Sequence, residues 1–123
     1  MDNKIRVMLA DDHFVVRQGL SALLESQPDI EIVGEAADGV EAVTLARKCC
    51  PDVVLMDINM PIMNGLEATR IISAELPQIR IIGLSINDDA ETNAAMQAAG
   101  AATLVGKDCG SGTLLTVIRR CTP

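Results

Sequence analysis

The sequence predicts an α/β fold, a five-stranded parallel sheet doubly wound by helices on both faces, in one (βα)5 domain. Three observations predict it. Five short apolar runs rich in β-branched residues recur along the chain, each of strand length. Between them lie segments whose apolar residues return at helical spacing. Hydrophobic residues make up 49% of the 123 residues, yet only Phe14 is aromatic, so aliphatic side chains and alanine must fill the interior. Helices packed on a parallel sheet accommodate such a core.

Taken in order, the expected strands are Ile5 to Leu9, Ile30 to Val33, Val53 to Met56, Arg80 to Leu84 and Thr103 to Val105. The first helix follows from Val16, Leu20, Leu23 and Leu24, which share one helical face. The second follows the "ADG" turn, with Ala42, Leu45 and Ala46 on one side. Asn64 can cap a third helix, which runs to about Leu76 and stops at Pro77. An alanine-rich fourth helix spans Asp89 to Ala99, and Gly100 is placed to end it. Ser111 or Gly112 opens a fifth, whose Leu114, Leu115 and Ile118 can face the sheet. Each parallel crossover needs a connection long enough to hold a helix, so strict alternation argues for an open parallel sheet.

Composition narrows the function. The length fits a single domain covering 1–123. A formal net charge of -7 makes the chain a poor partner for polyanions, because nucleic-acid binding rests on neutralising phosphates with Lys and Arg. No stretch reaches the apolar length of a membrane span and "MDNKIRVML" lacks a signal-peptide core, so a cytoplasmic location without membrane attachment is expected. The four cysteines show no CxxC spacing and read as free thiols. His13 is the single histidine, and no GxSxG elbow accompanies it, which argues against a Ser-His-Asp hydrolase.

The stretch "LADDHFVV" crowds Asp11 and Asp12 at the end of the first strand. Two carboxylates about 4 Å apart repel by roughly 4 kcal/mol at an effective dielectric of 20. Alone, such a pair is commonly a solvated turn or a helix cap. Other strand ends carry Asp57, Ser85 and Lys107, and ligands of doubly wound sheets sit beyond the carboxyl ends of the strands. With strand order 2-1-3-4-5, the first and third strands are neighbours and three carboxylates converge. Oxygen ligands without histidine or cysteine favour Mg²⁺. A lysine offers a point charge for a phosphoryl oxygen and a serine hydroxyl can donate to another, a set that suits phosphoryl transfer.

The segments "LADDH", "VVLMDINMPIMNGLEATR", "IIGLS" and "LVGKD" stand at these strand ends in this order. In them the chain resembles, over essentially its whole length, the CheY-like (flavodoxin-like) receiver domains of bacterial two-component response regulators. "DDHFVVRQGLSALLE" and "VGEAADGVEAV" resemble the NarL/FixJ (LuxR-type) branch, whose members usually carry a carboxyl-terminal helix-turn-helix; the expectation is a receiver belonging to a longer transcription regulator, with DNA contacted only through a domain outside this sequence. The resemblance implies Asp57 as acceptor of a phosphoryl group from a sensor histidine kinase. It implies Mg²⁺ bound by Asp12 directly, by Asp11 mainly through water, by Asp57 and by the backbone carbonyl of Asn59. Lys107 pairs with Asp57 and then with the phosphoryl group, and Ser85 donates to that group. The output is a changed surface read by a partner, a second copy or the DNA-binding domain; the chain is a signalling domain and not an enzyme on external substrates.

Several positions depart from the family pattern. Leu104 stands where an aromatic switch residue is common, so an aromatic toggle coupled to Ser85 is in doubt. Ile86 replaces a small residue and predicts slower phosphoryl exchange. Gly106 predicts a looser aim for Lys107, Asn87 is a candidate influence on hydrolysis, and Asp108 replaces a proline. His13 follows the acidic pair and reads as a helix-start residue without a chemical task, contact with the metal site being the alternative, and Pro61 and Gly65 read as loop shapers, the glycine for its conformational freedom. Two rivals remain open. One is a degenerate receiver that signals through protein contacts without phosphate. The other is an aspartate-nucleophile phosphatase, which lacks support because Asp57 is followed by "INMP" and no DxDxT signature occurs.

Overall fold

A computed structural model describes residues 4–85, 90–107 and 110–121. Ile86, Asn87, Asp89 and Asp108, named above, and Cys109, one of the four cysteines, lie outside the described residues. The elements alternate as β1 (Ile5–Ala10), α1 (Phe14–Glu25), β2 (Ile30–Ala36), α2 (Gly39–Cys49), β3 (Val53–Asp57), α3 (Gly65–Glu75), β4 (Arg80–Ser85), α4 (Ala90–Ala99), β5 (Thr103–Gly106) and α5 (Ser111–Cys121). All strand pairs are parallel, in the order β2-β1-β3-β4-β5, as the sequence predicts.

Alternation along each strand divides the core in two. Val7, Leu9, Val53, Leu55, Ile82 and Leu84 face one side and pack with Leu24 of α1 and Leu114 and Ile118 of α5. Met8, Ala10, Val54, Met56 and Ile81 face the other and meet Ala42 and Ala46 of α2, Ala68 and Ile72 of α3, and Met96 of α4. Small alanines let the helices approach the sheet, and full burial of each Leu or Ile stabilises by about 2 kcal/mol. Val16 is 37% exposed, so the predicted face of α1 is buried only toward its carboxyl end, at Leu24. Phe14 stands out from the surface, with the Arg17 guanidinium 5.7 Å from its ring centroid.

Local signals explain where helices begin. Asp38 accepts from the Glu41 N–H at 2.8 Å and Asn64 from the Glu67 N–H at 2.9 Å, each satisfying an orphan donor of the first turn. Gly100, at φ +119, ends α4. β2 runs to Ala36, beyond the expected Val33, because its register against β1 skips a residue: Val7 pairs with Ile32 and Met8 with Gly34. This bulge absorbs Val33 and lets the strand continue through a glycine.

The loop after β3 is built differently from expectation. Gly65 does not take a left-handed conformation; Ile62 does, at φ 68. Gly65 is required by proximity, since a Cβ there would stand 1.9 Å from the Asp57 carbonyl oxygen. Its N–H donates to the Ile58 carbonyl at 2.8 Å, so the start of α3 lies against the end of β3. Gly65→Ala must push the helix from the strand. Chemical denaturation should show a loss of about 3 kcal/mol, compared with a gain of up to about 1 kcal/mol for Gly19→Ala, which lies inside α1 and whose added Cβ meets nothing within 4 Å.

Candidate functional site

The carboxyl ends of β1, β3 and β5 place Asp11, Asp12, Asp57 and Lys107 in one pocket. Asp11 leaves β1 with its N–H on the Ala36 carbonyl at 3.0 Å, and Arg17 Nη1 donates to its carbonyl oxygen at 2.7 Å. Asp57 is the last residue of β3 and pairs with Leu84 of β4. Lys107 follows Gly106, whose pairing with Ser85 is the last rung between β4 and β5; its N–H donates to the Ser85 carbonyl at 2.8 Å. The backbone is therefore held on both sides of Gly106.

Lys107 Nζ lies 2.9 Å from Asp11 Oδ2 and 3.0 Å from Asp57 Oδ2, bridging the two acids. Both carboxylates are nearly fully buried, at 1% and 2% exposure. Both contacts are ion pairs at hydrogen-bonding distance between groups with little exposure. The backbone N–H of Asn59 donates to Asp57 Oδ1 at 3.3 Å. Leu104 is partly buried against the α2–α4 side of the core, where it and Met96 fill the space over Gly83.

Of the two readings of His13, the structure agrees with the alternative: its ring lies against the acids. It precedes α1 in an extended conformation, makes no side-chain cap, and turns its imidazole to the acids, with Nδ1 3.1 Å from Asp11 Oδ1, 3.3 Å from Asp12 Oδ1 and 4.0 Å from Asp57 Oδ2. Its own N–H donates to Asp11 Oδ1 at 2.8 Å. The one signal for this in the sequence is adjacency to the acidic pair.

One ammonium faces three carboxylates, and the coordinating atoms of Asp11, Asp12, His13 and Asp57 all lie within 4.8 Å of one another. At that separation two ionised carboxylates repel by at least about 3 kcal/mol at an effective dielectric of 20. The proton affinities respond. Burial, together with the charge of Asp11, pushes the Asp57 carboxyl up from the usual range, against the pull of Lys107. Burial opposes ionisation of Asp11 too, but the His13 N–H and the Lys107 ammonium outweigh it and hold that carboxyl down. Burial works against the Lys107 charge, and Asp11 and Asp57 overcome it, raising its pKa. The oxygen-rich donor set, with carboxylates that a single ammonium does not balance, fits a hard divalent cation.

Fold and pocket define a class: a doubly wound α/β domain with an acid and lysine cluster at the carboxyl edge of its sheet. The family model described as "Response regulator receiver domain" matches residues 7–119. The transcriptional regulatory protein DegU of Brevibacillus brevis is 37% identical over 118 residues, covering 96% of this chain and 50% of that protein. LiaR of Bacillus subtilis (strain 168) is 56% identical over 87 residues, covering 69% of this chain and 41% of that protein. Among solved structures, the receiver domain of the putative response regulator NarL from Mycobacterium tuberculosis aligns with a TM-score of 0.93 at 29% identity, covering 97% of this chain and 96% of that one. A LuxR-family two-component response regulator from Aurantimonas sp. SI85-9A1 aligns at 0.90 and 36% identity, covering 95% and 84%. The chain belongs to the response regulator receiver domain family, with relatives of the NarL and LuxR type. It spans about half the length of the relatives it matches in sequence.

The proton affinities carry a stability prediction. Because the Asp57 pKa is raised by folding, its contribution is fully present below the ordinary carboxylate range and is lost as pH rises through the raised native value. Asp11, held low, contributes in the opposite sense, above the ordinary range, and loses that contribution as pH falls through its native value. Asp57→Asn should therefore raise the Tm of the metal-free protein by about 4 °C at pH 7, equivalent to about 1 kcal/mol. The gain should shrink as pH falls into the carboxylate range; calorimetry with chelator at several pH values reads both.

Proposed function

We propose that this receiver is a Mg²⁺-dependent phosphoacceptor switch in a transcription regulator, with Asp57 as the acceptor. The observation that carries this reading is the position of the Asp57 carboxylate: at the end of a central strand, 3.0 Å from Lys107 Nζ and grouped with Asp11 and Asp12. An Asp57 oxygen attacks the phosphorus of a phosphohistidine on a sensor kinase, the N–P bond breaks as the O–P bond forms, and the imidazole leaves. Asp57 must be ionised to attack, and Lys107 supports that charge against burial and Asp11.

Asp12 directly, Asp11 mainly through water, Asp57 and the Asn59 backbone carbonyl would hold Mg²⁺. When bound, the ion supplies charge neutralisation for the acids and the phosphoryl oxygens. Lys107 then moves its pairing from Asp57 to the new phosphoryl group, and Ser85, at the end of the adjacent strand, donates to it. The added charge is the signal. Leu104, being aliphatic, answers by repacking against Met96 without an aromatic's hydroxyl.

The relatives' names as transcriptional regulatory proteins support an output through a DNA-binding helix-turn-helix outside this sequence, with a histidine kinase as input and a second copy of the chain as a candidate partner. A cytoplasmic setting fits this role; among the described residues no helix is long and apolar enough to cross a membrane.

Incubation with acetyl phosphate and Mg²⁺ followed by intact mass measurement tests the reading. The native chain should gain one base-labile phosphoryl group and Asp57→Asn none. A native chain that stays unmodified would instead be a degenerate receiver, and continuous release of phosphate without a mass gain would mark a hydrolase.

A further inference from the structure

His13 is the member of the pocket that phosphoryl transfer to Asp57 leaves without a task. A hydrogen bond to Asp11 would account for one short distance, but Nδ1 stands 3.1, 3.3 and 4.0 Å from oxygens of three different carboxylates. Ligand bonds of about 2.1 Å in an octahedral sphere place adjacent donors about 3.0 Å apart and opposed donors about 4.2 Å apart. The imidazole nitrogen thus keeps the spacing of a donor sharing one centre with the acids. A second observation points to the same centre: one ligand atom from each of Asp11, Asp12, His13 and Asp57 lies within 4.8 Å of all the others, and Asp57 is only 2% exposed.

The local chain delivers the ring there. His13 occupies the cap position of α1 without capping it, since its side chain makes no bond to the helix, and its backbone N–H donates to Asp11 Oδ1. The ring is 54% exposed on its outer side, so an arriving ion meets it before the buried acids.

We propose that His13 is a nitrogen ligand of the pocket and biases it toward Mn²⁺ and the borderline divalent ions that follow it, relative to Mg²⁺. This rests on the reading of the pocket as a divalent-cation site. Mg²⁺ takes oxygen donors and gains little from imidazole, whereas Mn²⁺ through Cu²⁺ accept it with increasing strength and Zn²⁺ accepts it readily. Every such site binds the later ions more tightly, so the diagnostic quantity is the change on removing the ring.

Calorimetric titration of the tag-free native chain and His13→Gln with Mg²⁺ and with Mn²⁺ measures it. Pulsed electron paramagnetic resonance of the Mn²⁺-loaded proteins adds a readout that structural damage would not mimic. His13 is the only histidine, so an imidazole-nitrogen coupling has a single source. The expected result is a loss of at least about tenfold in Mn²⁺ affinity for the variant, an essentially unchanged Mg²⁺ affinity, and a nitrogen coupling present in the native protein and gone in His13→Gln. Equal shifts for both ions, or no nitrogen coupling in the native protein, overturn the role of His13 while leaving the acidic site standing. Failure of the native chain to bind either ion overturns the site and the role together.

Discussion

Repulsion among three carboxylates is the constraint around which this domain is organised. A parallel sheet with β1 beside β3 brings Asp11, Asp12 and Asp57 to one edge, and two of them are buried, where each negative charge is most costly. The fold offers one permanent countercharge, Lys107, which bridges the buried pair and leaves the third acid to solvent and His13. The pocket is consequently short of positive charge, and the proposed binding of a cation, and of a phosphoryl group with that cation, rests on the same shortage. Burial, with the charge of Asp11, raises the proton affinity of Asp57, whereas at Asp11 burial is outweighed by the His13 N–H and Lys107.

Such a site needs a rigid frame, because the acids would otherwise move apart. The frame is supplied close to each charged residue. Ala36 of β2 holds the Asp11 N–H, the Ser85 carbonyl holds the Lys107 N–H, and α3 begins against the last peptide of β3 at Gly65. Below these contacts lie Leu9, Leu55, Met8 and Met56, which have no exposed surface, so strand ends carrying the charges rest on close-packed apolar layers. The chemistry is polar and confined to the edge, while its geometry comes from the core.

Much of this was legible in the sequence, for identifiable reasons. Parallel strands buried on both faces appear as short continuous apolar runs, so β1, β3 and β4 and the acids and lysine at strand ends could be placed before any coordinates. Features set by spatial contact were not. Glycine at 65 looks the same whether it serves a left-handed turn or a close approach to Asp57, and only the second is the case. The bulge at Val33 hid the true end of β2 behind Gly34, and the exposure of Val16 depends on where α1 leaves the sheet. The turn of His13 toward three carboxylates is set by its backbone bond to Asp11, which its place in "DDH" suggests only faintly.

The central claim, that the separated acids form one divalent-ion pocket, is tested most directly by thermal unfolding of the native chain over a series of Mg²⁺ concentrations. Binding to the folded state alone predicts a Tm that climbs with the logarithm of free Mg²⁺, worth about 2.7 kcal/mol at 100 times the dissociation constant, and a climb abolished in Asp12→Ala. A native Tm indifferent to Mg²⁺, or an equal climb in Asp12→Ala, would contradict it.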